Sequence, residues 1–231
     1  MTRIIEQGDT AMTVSIGERR DAVVARRVLT LARRLDHLGI EGVVEVVPAL
    51  VSVTCLLNPD RVDRWFLRET IERLLREPDS AEETDSGRLV EIPICYEPEA
   101  GTDLEVIARD AGETVEQIIA LHMSAEYRVA MIGFLPGFPY LEGMPLDLAR
   151  PRRSTPRRWI DARSVAIGGE FCGIYPFDSP GGWWVIGRTP LTLFDPLAPS
   201  PSLLSVGDRV RFRRVWSGSS SFEPVRGVHS S

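Results

Sequence analysis

Along residues 22–38 apolar side chains recur every three or four positions, with Val23, Val24, Val28, Leu31 and Leu35 on one face and Gly39 and Gly42 just beyond. That period predicts an amphipathic helix, and glycine at its end supplies a left-handed stop. Around it lie short β-branched runs at residues 3–5 and 11–16, joined by the turn Gln7-Gly8-Asp9, and at residues 43–47 and 50–57, parted by Pro48-Ala49. These predict four strands. A second helix is expected over residues 61–76, capped by Asn58 or Asp60. The order strand, strand, helix, strand, strand, helix predicts a sheet with two helices on one face. The polar run EPDSAEETDSG at residues 77–87 reads as a solvated linker, which ends a first domain at residue 87.

Beyond the linker, residues 89–94 alternate with period two, residues 103–110 fit a short helix, and Glu113-Thr114 opens another over residues 115–124 that carries Ile118, Ile119 and Leu121 toward the core. From Tyr127 onward the pattern becomes short β-runs, RVAMIGF, SVAIGG, WWVIGR and DRVRFRRV, separated by Gly/Pro turns. Many short strands with punctuating turns predict a closed or nearly closed β-barrel with helices at one side, over residues 88–216. Residues 217–231, rich in Ser and Gly, are expected to fray. Between Gly133 and Pro196 lie nine of the 19 glycines and nine of the 17 prolines. Such a stretch specifies loop shapes, and the Phe134, Phe138, Tyr140, Arg152, Tyr175, Trp183 and Arg188 side chains set among its turns mark it as the expected ligand surface.

At 231 residues, 43% apolar and 26% charged, the composition is that of an ordinary globular protein. No run of 18 apolar residues occurs and the N-terminus lacks the basic-then-apolar pattern of a signal peptide, so a cytoplasmic location is expected. The net charge of −6 argues against non-specific nucleic-acid binding; the arginine clusters at residues 150–163 and 209–214 suit anionic groups or a protein partner. All 27 basic residues are Arg, and the absence of Lys excludes a Schiff-base enzyme, a Walker-A loop and a biotinylated carrier. The three cysteines fit neither a disulfide framework nor a zinc site: Cys55 and Cys95 read as buried thiols, and Cys172, between Phe171 and Gly173, as a loop thiol open to reaction. No His or Cys pair stands at ligand spacing, so no metal site is expected.

His122 stands four residues before Glu126, so on a helix the two share a face and the carboxylate would orient the imidazole for acid–base work; the alternative is a packed histidine with its hydrogen bonds satisfied. Arg152, Arg153, Arg157 and Arg158 lie in a proline-framed loop where guanidinium forks can hold carboxylate or phosphate oxygens, and Arg152 and Arg157 each follow a proline. Ser179-Pro180-Gly181-Gly182-Trp183 and Gly187-Arg188-Thr189-Pro190 each combine glycine with a hydroxyl, and offer either an oxyanion-binding turn or two tight strand connections.

Taken together, GFLPGFPYL, the two Pro-Arg pairs, SVAIGG, GIYP, SPGGW, IGRTP and LFDP closely resemble the family of 5-oxoprolinase B subunits, as do ICY, ALHMSAEY and SVGDRVRF. This family also includes the kinase-inhibitor (Kip) proteins and those called allophanate hydrolase subunit 1, and is related to the carboxyltransferase domain of urea carboxylase. The resemblance implies an α+β protein, with a ferredoxin-like N-terminal α/β domain and a cyclophilin-like β-barrel. It implies partner subunits of the A and C types, the latter a second barrel protein, in ATP-dependent opening of 5-oxo-L-proline to L-glutamate, with ATP and Mg in the assembled complex. On that basis Arg152, Arg157 or Arg188 would hold the substrate carboxylate or a phosphoryl group, His122 and Glu126 would manage protons, Tyr140, Tyr175 and Trp183 would wall the ring, and Ser179 and Thr189 would contact substrate. Inhibition of a sensor histidine kinase and action on a urea-derived amide are the alternatives the same family implies. Two departures stand out: Asp161-Ala162-Arg163 replaces the usual P-A-G, and Phe171-Cys172-Gly173 replaces the usual Q-T-G.

Overall fold

Met12 and Val14, like Val53, Cys55 and Leu57, are buried, whereas Thr13 and Thr54 between them are half-buried. Two neighbouring strands, β2 (Ala11–Ser15) and β4 (Ser52–Leu57), therefore turn alternate residues into one core. With β1 (Arg3–Gln7) and β3 (Val43–Pro48) they form an antiparallel sheet in the order β1-β2-β4-β3. Helices α1 (Ala22–Leu38) and α2 (Arg64–Arg76) add Val28, Leu31 and Leu35, then Leu67, Ile71 and Leu74, to the same cluster, so both cover one face as the periodicity predicts. Asp21 caps α1 by accepting from the Val23 and Val24 N–H groups, and Gly39 ends it at φ 53°. The second helix begins at Arg64 rather than Arg61, because Asp63 is the cap and Asn58 instead holds a turn, accepting from the Asp60 N–H.

This computed structural model describes residues 2–78 and 87–217, and the chain divides into two compact units, one up to Gly87 and one from Arg88. Most of the expected linker, residues 79–86, and of the expected frayed tail, residues 218–231, lies outside the described residues.

The second unit is built on a seven-stranded sheet of β5 (Leu89–Ile94), β6 (Tyr127–Ile132), β7 (Pro139–Glu142), β9 (Ser164–Gly168), β10 (Phe171–Ile174), β12 (Trp184–Arg188) and β13 (Arg209–Arg214). Its order is β12-β9-β10-β7-β6-β13-β5, antiparallel except where β13 runs parallel to β5. Just beyond β5, Cys95 exchanges backbone hydrogen bonds of 2.8 and 2.9 Å with Arg188, so the first and last strands of the sheet nearly meet and the barrel almost closes. Gly187 makes this approach possible: a Cβ there would lie 2.7 Å from the Cys95 carbonyl oxygen. Helices α3 (Leu104–Ala111) and α4 (Val115–Ser124) pack Leu104, Ile107, Ile118 and Ile119 on the same core, and α4 opens with a Thr114–Gln117 capping box. No helix among the described residues is long and apolar enough to cross a membrane.

Val165, Ile167, Cys172, Ile174 and Ile186 face the barrel interior, and their neighbours Ala166, Phe171 and Val185 face a second cluster on the other side of the sheet. A two-stranded ribbon of β8 (Arg157–Ile160) and β11 (Ser179–Gly181) belongs to that outer side through Ile160. Strands β9, β10 and β12 are thus covered on both faces, which is why all five residues of β9 are buried.

Candidate functional site

The outer cluster is aromatic. Phe138 meets Tyr140, Tyr175 and Trp183 edge-to-face at ring separations of 5.1, 5.1 and 5.6 Å, and Tyr140 also meets Trp183 and Phe171 at 5.6 and 6.0 Å. Glycines make the room: a Cβ at Gly168 would lie 2.8 Å from the Trp183 ring, one at Gly173 2.7 Å from Phe138, and one at Gly181 would run into the Tyr175 hydroxyl. Tyr140 and Phe171 remain half-buried and Phe134, 59% exposed with φ 70°, leans on Phe138 and Tyr175 from outside. Burial pushes the Tyr175 hydroxyl up to about 12, so it stays protonated at neutral pH. The three residues expected to wall a ring, Tyr140, Tyr175 and Trp183, pack in one cluster, but Tyr175 and Trp183 are 1% and 5% exposed, so of the three Tyr140 alone keeps an open face.

Arginines border it unequally. Arg152 is exposed and lies over the Trp183 ring at 5.8 Å, with no carboxylate paired to it among the described residues. Arg157, the expected anion holder, is instead occupied within the chain: both of its Nη groups bond Asp103, at 2.5 and 2.7 Å. Asp103 is 2% exposed and also accepts from Arg153 at 3.1 Å and from the Val185 N–H at 2.7 Å. This carboxylate holds the Arg157 guanidinium above its usual range and pins the arginine loop to β12. Arg153 also covers the Trp184 ring at 4.9 Å, and the Trp184 Nε1–H donates to the Pro151 carbonyl at 2.8 Å. Arg188 ends β12 with its Nε on the Ala162 carbonyl at 3.2 Å, and lines a cleft together with Arg157, Trp159 and Ser164.

Four expectations require correction. His122 and Glu126 do not pair: the helix ends at Ser124, Ala125 is extended, and Glu126 turns to Arg209 and Arg211 at 3.5 and 2.8 Å. His122 is 1% exposed inside the barrel, its Nδ1 2.7 Å from the Tyr96 hydroxyl, its Nε2 3.6 Å from Cys172 Sγ, and its ring 4.5 Å from that of Phe212. Burial lowers its pKa to about 3, so it is a neutral packed imidazole out of reach of a ligand. Cys172 lies on a strand, not a loop; it is fully buried and burial raises its thiol pKa. Ser179 and Thr189 are 7% and 0% exposed, their hydroxyls on the Pro180 carbonyl and the Leu191 N–H, so both shape turns.

The residue that sequence reading missed is Asp103. In the sequence it stands only as the first residue of an expected helix, yet its side chain makes no cap hydrogen bond and serves partners 50, 54 and 82 residues away. Within the departure at residues 171–173, Phe171 joins the aromatic wall and Cys172 faces His122 on the opposite side of the strand, so of these two only Phe171 bears on that wall. Arg163, where the usual residue is glycine, has φ 69°, a conformation that favours glycine. Among the described residues no three His, Cys, Asp or Glu side chains are grouped to hold a metal ion.

The family model for the carboxyltransferase domain, subdomains C and D, matches residues 2–204. The chain is 40% identical to the 5-oxoprolinase B subunit of Bacillus subtilis over 91% of its own length and 92% of the relative's. It is 42% identical to the protein of that name from Escherichia coli, over 89% and 92%. Among solved structures, TTHA0988 superposes with a TM-score of 0.79 at 35% identity over 93% of this chain, which spans 40% of that longer one. A conserved protein of Pyrococcus horikoshii matches at 36% identity and a TM-score of 0.55, over 93% of this chain and 98% of its own. Kluyveromyces lactis urea carboxylase, 20% identical over 93% of this chain and 22% of that one with a TM-score of 0.68, shares the fold.

Proposed function

Because the chain belongs to the family of 5-oxoprolinase B subunits, within the carboxyltransferase subdomain C and D proteins, we propose that it is the B subunit of an ATP-dependent 5-oxoprolinase that opens 5-oxo-L-proline to L-glutamate. The observation that carries this reading is identity of 40–42% to three such B subunits, each matched over nearly its whole length. We read the first unit as ferredoxin-like with its edge strand moved from the end to the beginning, since β2-α1-β3-β4-α2 follows the usual order and β1 takes the remaining place beside β2. The barrel is read as cyclophilin-like. Tyr140, the half-open member of the aromatic wall, would meet the small lactam ring with the buried Tyr175 and Trp183 as its support, and Arg152 or Arg188 offers a cation to its carboxylate.

The chain has no Lys to cradle a nucleotide's phosphates, and among the described residues no three His, Cys, Asp or Glu side chains are grouped to hold a metal ion. We therefore assign ATP binding and the proton-transfer groups to the partner subunits, of the A and C types, in a cytoplasmic assembly. What this chain contributes is substrate positioning and exclusion of water. The test is ATP-dependent glutamate release from 5-oxo-L-proline by the reconstituted three-subunit mixture. The expected result is loss of release when this chain is omitted; equal release without it would refute the assignment. Action on a urea-derived amide is the second reading, favoured by 27% identity over 116 residues to a urea carboxylase of Emericella nidulans.

A further inference from the structure

The cleft that Arg188 lines has a volume of about 150 Å³, and its other lining residues include Glu99, Arg157, Trp159, Asp161 and Ser164. Three features give it a chemistry. Ser164 is 5% exposed, yet its hydroxyl makes no hydrogen bond among the described residues. The Arg188 side chain spends only its Nε, on the Ala162 carbonyl, and the carboxylate paired with it, Asp161 Oδ2, stands 4.0 Å from Nη1, beyond hydrogen-bond length. Asp161 is in turn tethered, its Oδ1 accepting from the Trp159 indole N–H at 2.7 Å, and the Trp159 ring is 62% exposed.

We propose that this cleft seats the carboxylate of a small cyclic acid and that Asp161 is a tethered competitor for the same guanidinium. In the free protein Asp161 partly screens Arg188. A ligand carboxylate replaces it by accepting from Nη1 and Nη2 together, Ser164 Oγ meets a second polar atom of the ligand, and the exposed face of Trp159 covers the ring. The charges around the cleft set its preference. Arg157 is engaged by Asp103, and Glu99 and Asp161 line the cleft along with Arg188, so a singly charged carboxylate suits the site better than phosphate. The departure at Asp161 is thereby a specificity element. The choice of 5-oxo-L-proline as probe rests on the function proposed above; the seat itself does not.

The experiment titrates the full chain with 5-oxo-L-proline, L-proline and inorganic phosphate, read by tryptophan fluorescence and calorimetry. For the acid that binds, Arg188→Gln is expected to weaken affinity about 10- to 100-fold. Asp161→Asn is expected to tighten it about 2- to 5-fold, and the gain should shrink as salt rises. That opposite sign cannot come from misfolding. Trp159→Phe should remove the fluorescence change and leave a calorimetric signal. Failure of both acids to saturate wild type and Asp161→Asn, binding indifferent to Arg188→Gln, or tighter binding of phosphate than of either acid would each overturn the proposal. L-proline binding with the expected variant pattern while 5-oxo-L-proline does not bind would uphold the seat and count against the proposed activity.

Discussion

Replacing His122 with Gln should remove one acid-sensitive component of stability from the second unit. The imidazole is enclosed by Tyr96, Tyr127, Cys172 and Phe212, all neutral, with no carboxylate to stabilise a charge. Burial lowers its folded-state pKa to about 3, against an unfolded value of about 6.5. Below pH 6.5 the unfolded chain takes up a proton that the folded chain refuses, so the contribution is complete above about 6.5 and is lost as pH falls toward about 3. Between pH 7 and pH 5 this one residue accounts for a loss of about 2 kcal/mol. Gln keeps a hydrogen-bonding group near Tyr96 but does not titrate. Urea unfolding of wild type and His122→Gln at both pH values isolates the effect as a difference of differences, which cancels the other carboxylates and any repacking cost common to both conditions. The expected result is a pH 7 to pH 5 loss smaller by about 2 kcal/mol in the variant. Equal losses in the two proteins would mean that His122 accepts a proton in the folded state, and would refute its description as a sealed, neutral side chain.

Other consequences follow from the same packing. Asp103→Asn should destabilise the second unit by about 2–3 kcal/mol, less than a fully buried pair would, because Arg153 and Arg157 each keep 28% of their side-chain surface; thermal unfolding measures it. Gly181→Ala drives a methyl into the Tyr175 hydroxyl and the Ile160 side chain, with an expected cost of about 1–3 kcal/mol in urea unfolding. Arg163→Gly should instead stabilise by about 0.5–1 kcal/mol, since it relieves the left-handed backbone at φ 69°; a loss of stability would show that the Arg163 side chain holds the turn. Cys55, Cys95 and Cys172 are all buried with thiol pKa values raised by burial, so a thiol-alkylating reagent read by mass spectrometry should label none of them until the chain is unfolded.

The first unit was legible because each of its elements buries one face: Val28, Leu31 and Leu35 at helical spacing, and Val53, Cys55 and Leu57 at strand spacing. The barrel was legible as a series of short β-runs, but β8 was not, because PRRSTPRRWI looks like a loop until Ser179 and Gly181 pair with it. Strand β10 is only four residues, FCGI, and buried on both faces, so it shows no alternation and Cys172 passed for a loop thiol. The His122–Glu126 spacing misled because spacing does not show that the helix stops at Ser124. Asp103 was illegible in principle: a carboxylate that ends an apparent helix start looks the same whether it caps the helix or ties together segments 50 and 82 residues away. Gly181, in a turn that could be read as oxyanion-binding, instead leaves room for the Tyr175 ring, and Gly168 and Gly173 likewise let aromatic rings approach the sheet.

The parallel pairing of β5 with β13 sets a timetable for biosynthesis. Leu89 pairs with Arg209, and the neighbouring Arg88 binds Asp208 across a separation of 120 residues. At about 5–20 residues per second, β5 leaves the ribosome about 6–24 s before its partner is made. The four strands and two helices up to Gly87 find all their mates among themselves and need not wait. The barrel half must meanwhile keep the strand LVEIPI without its β13 partner, so over that interval its backbone edge is open to pairing with another chain.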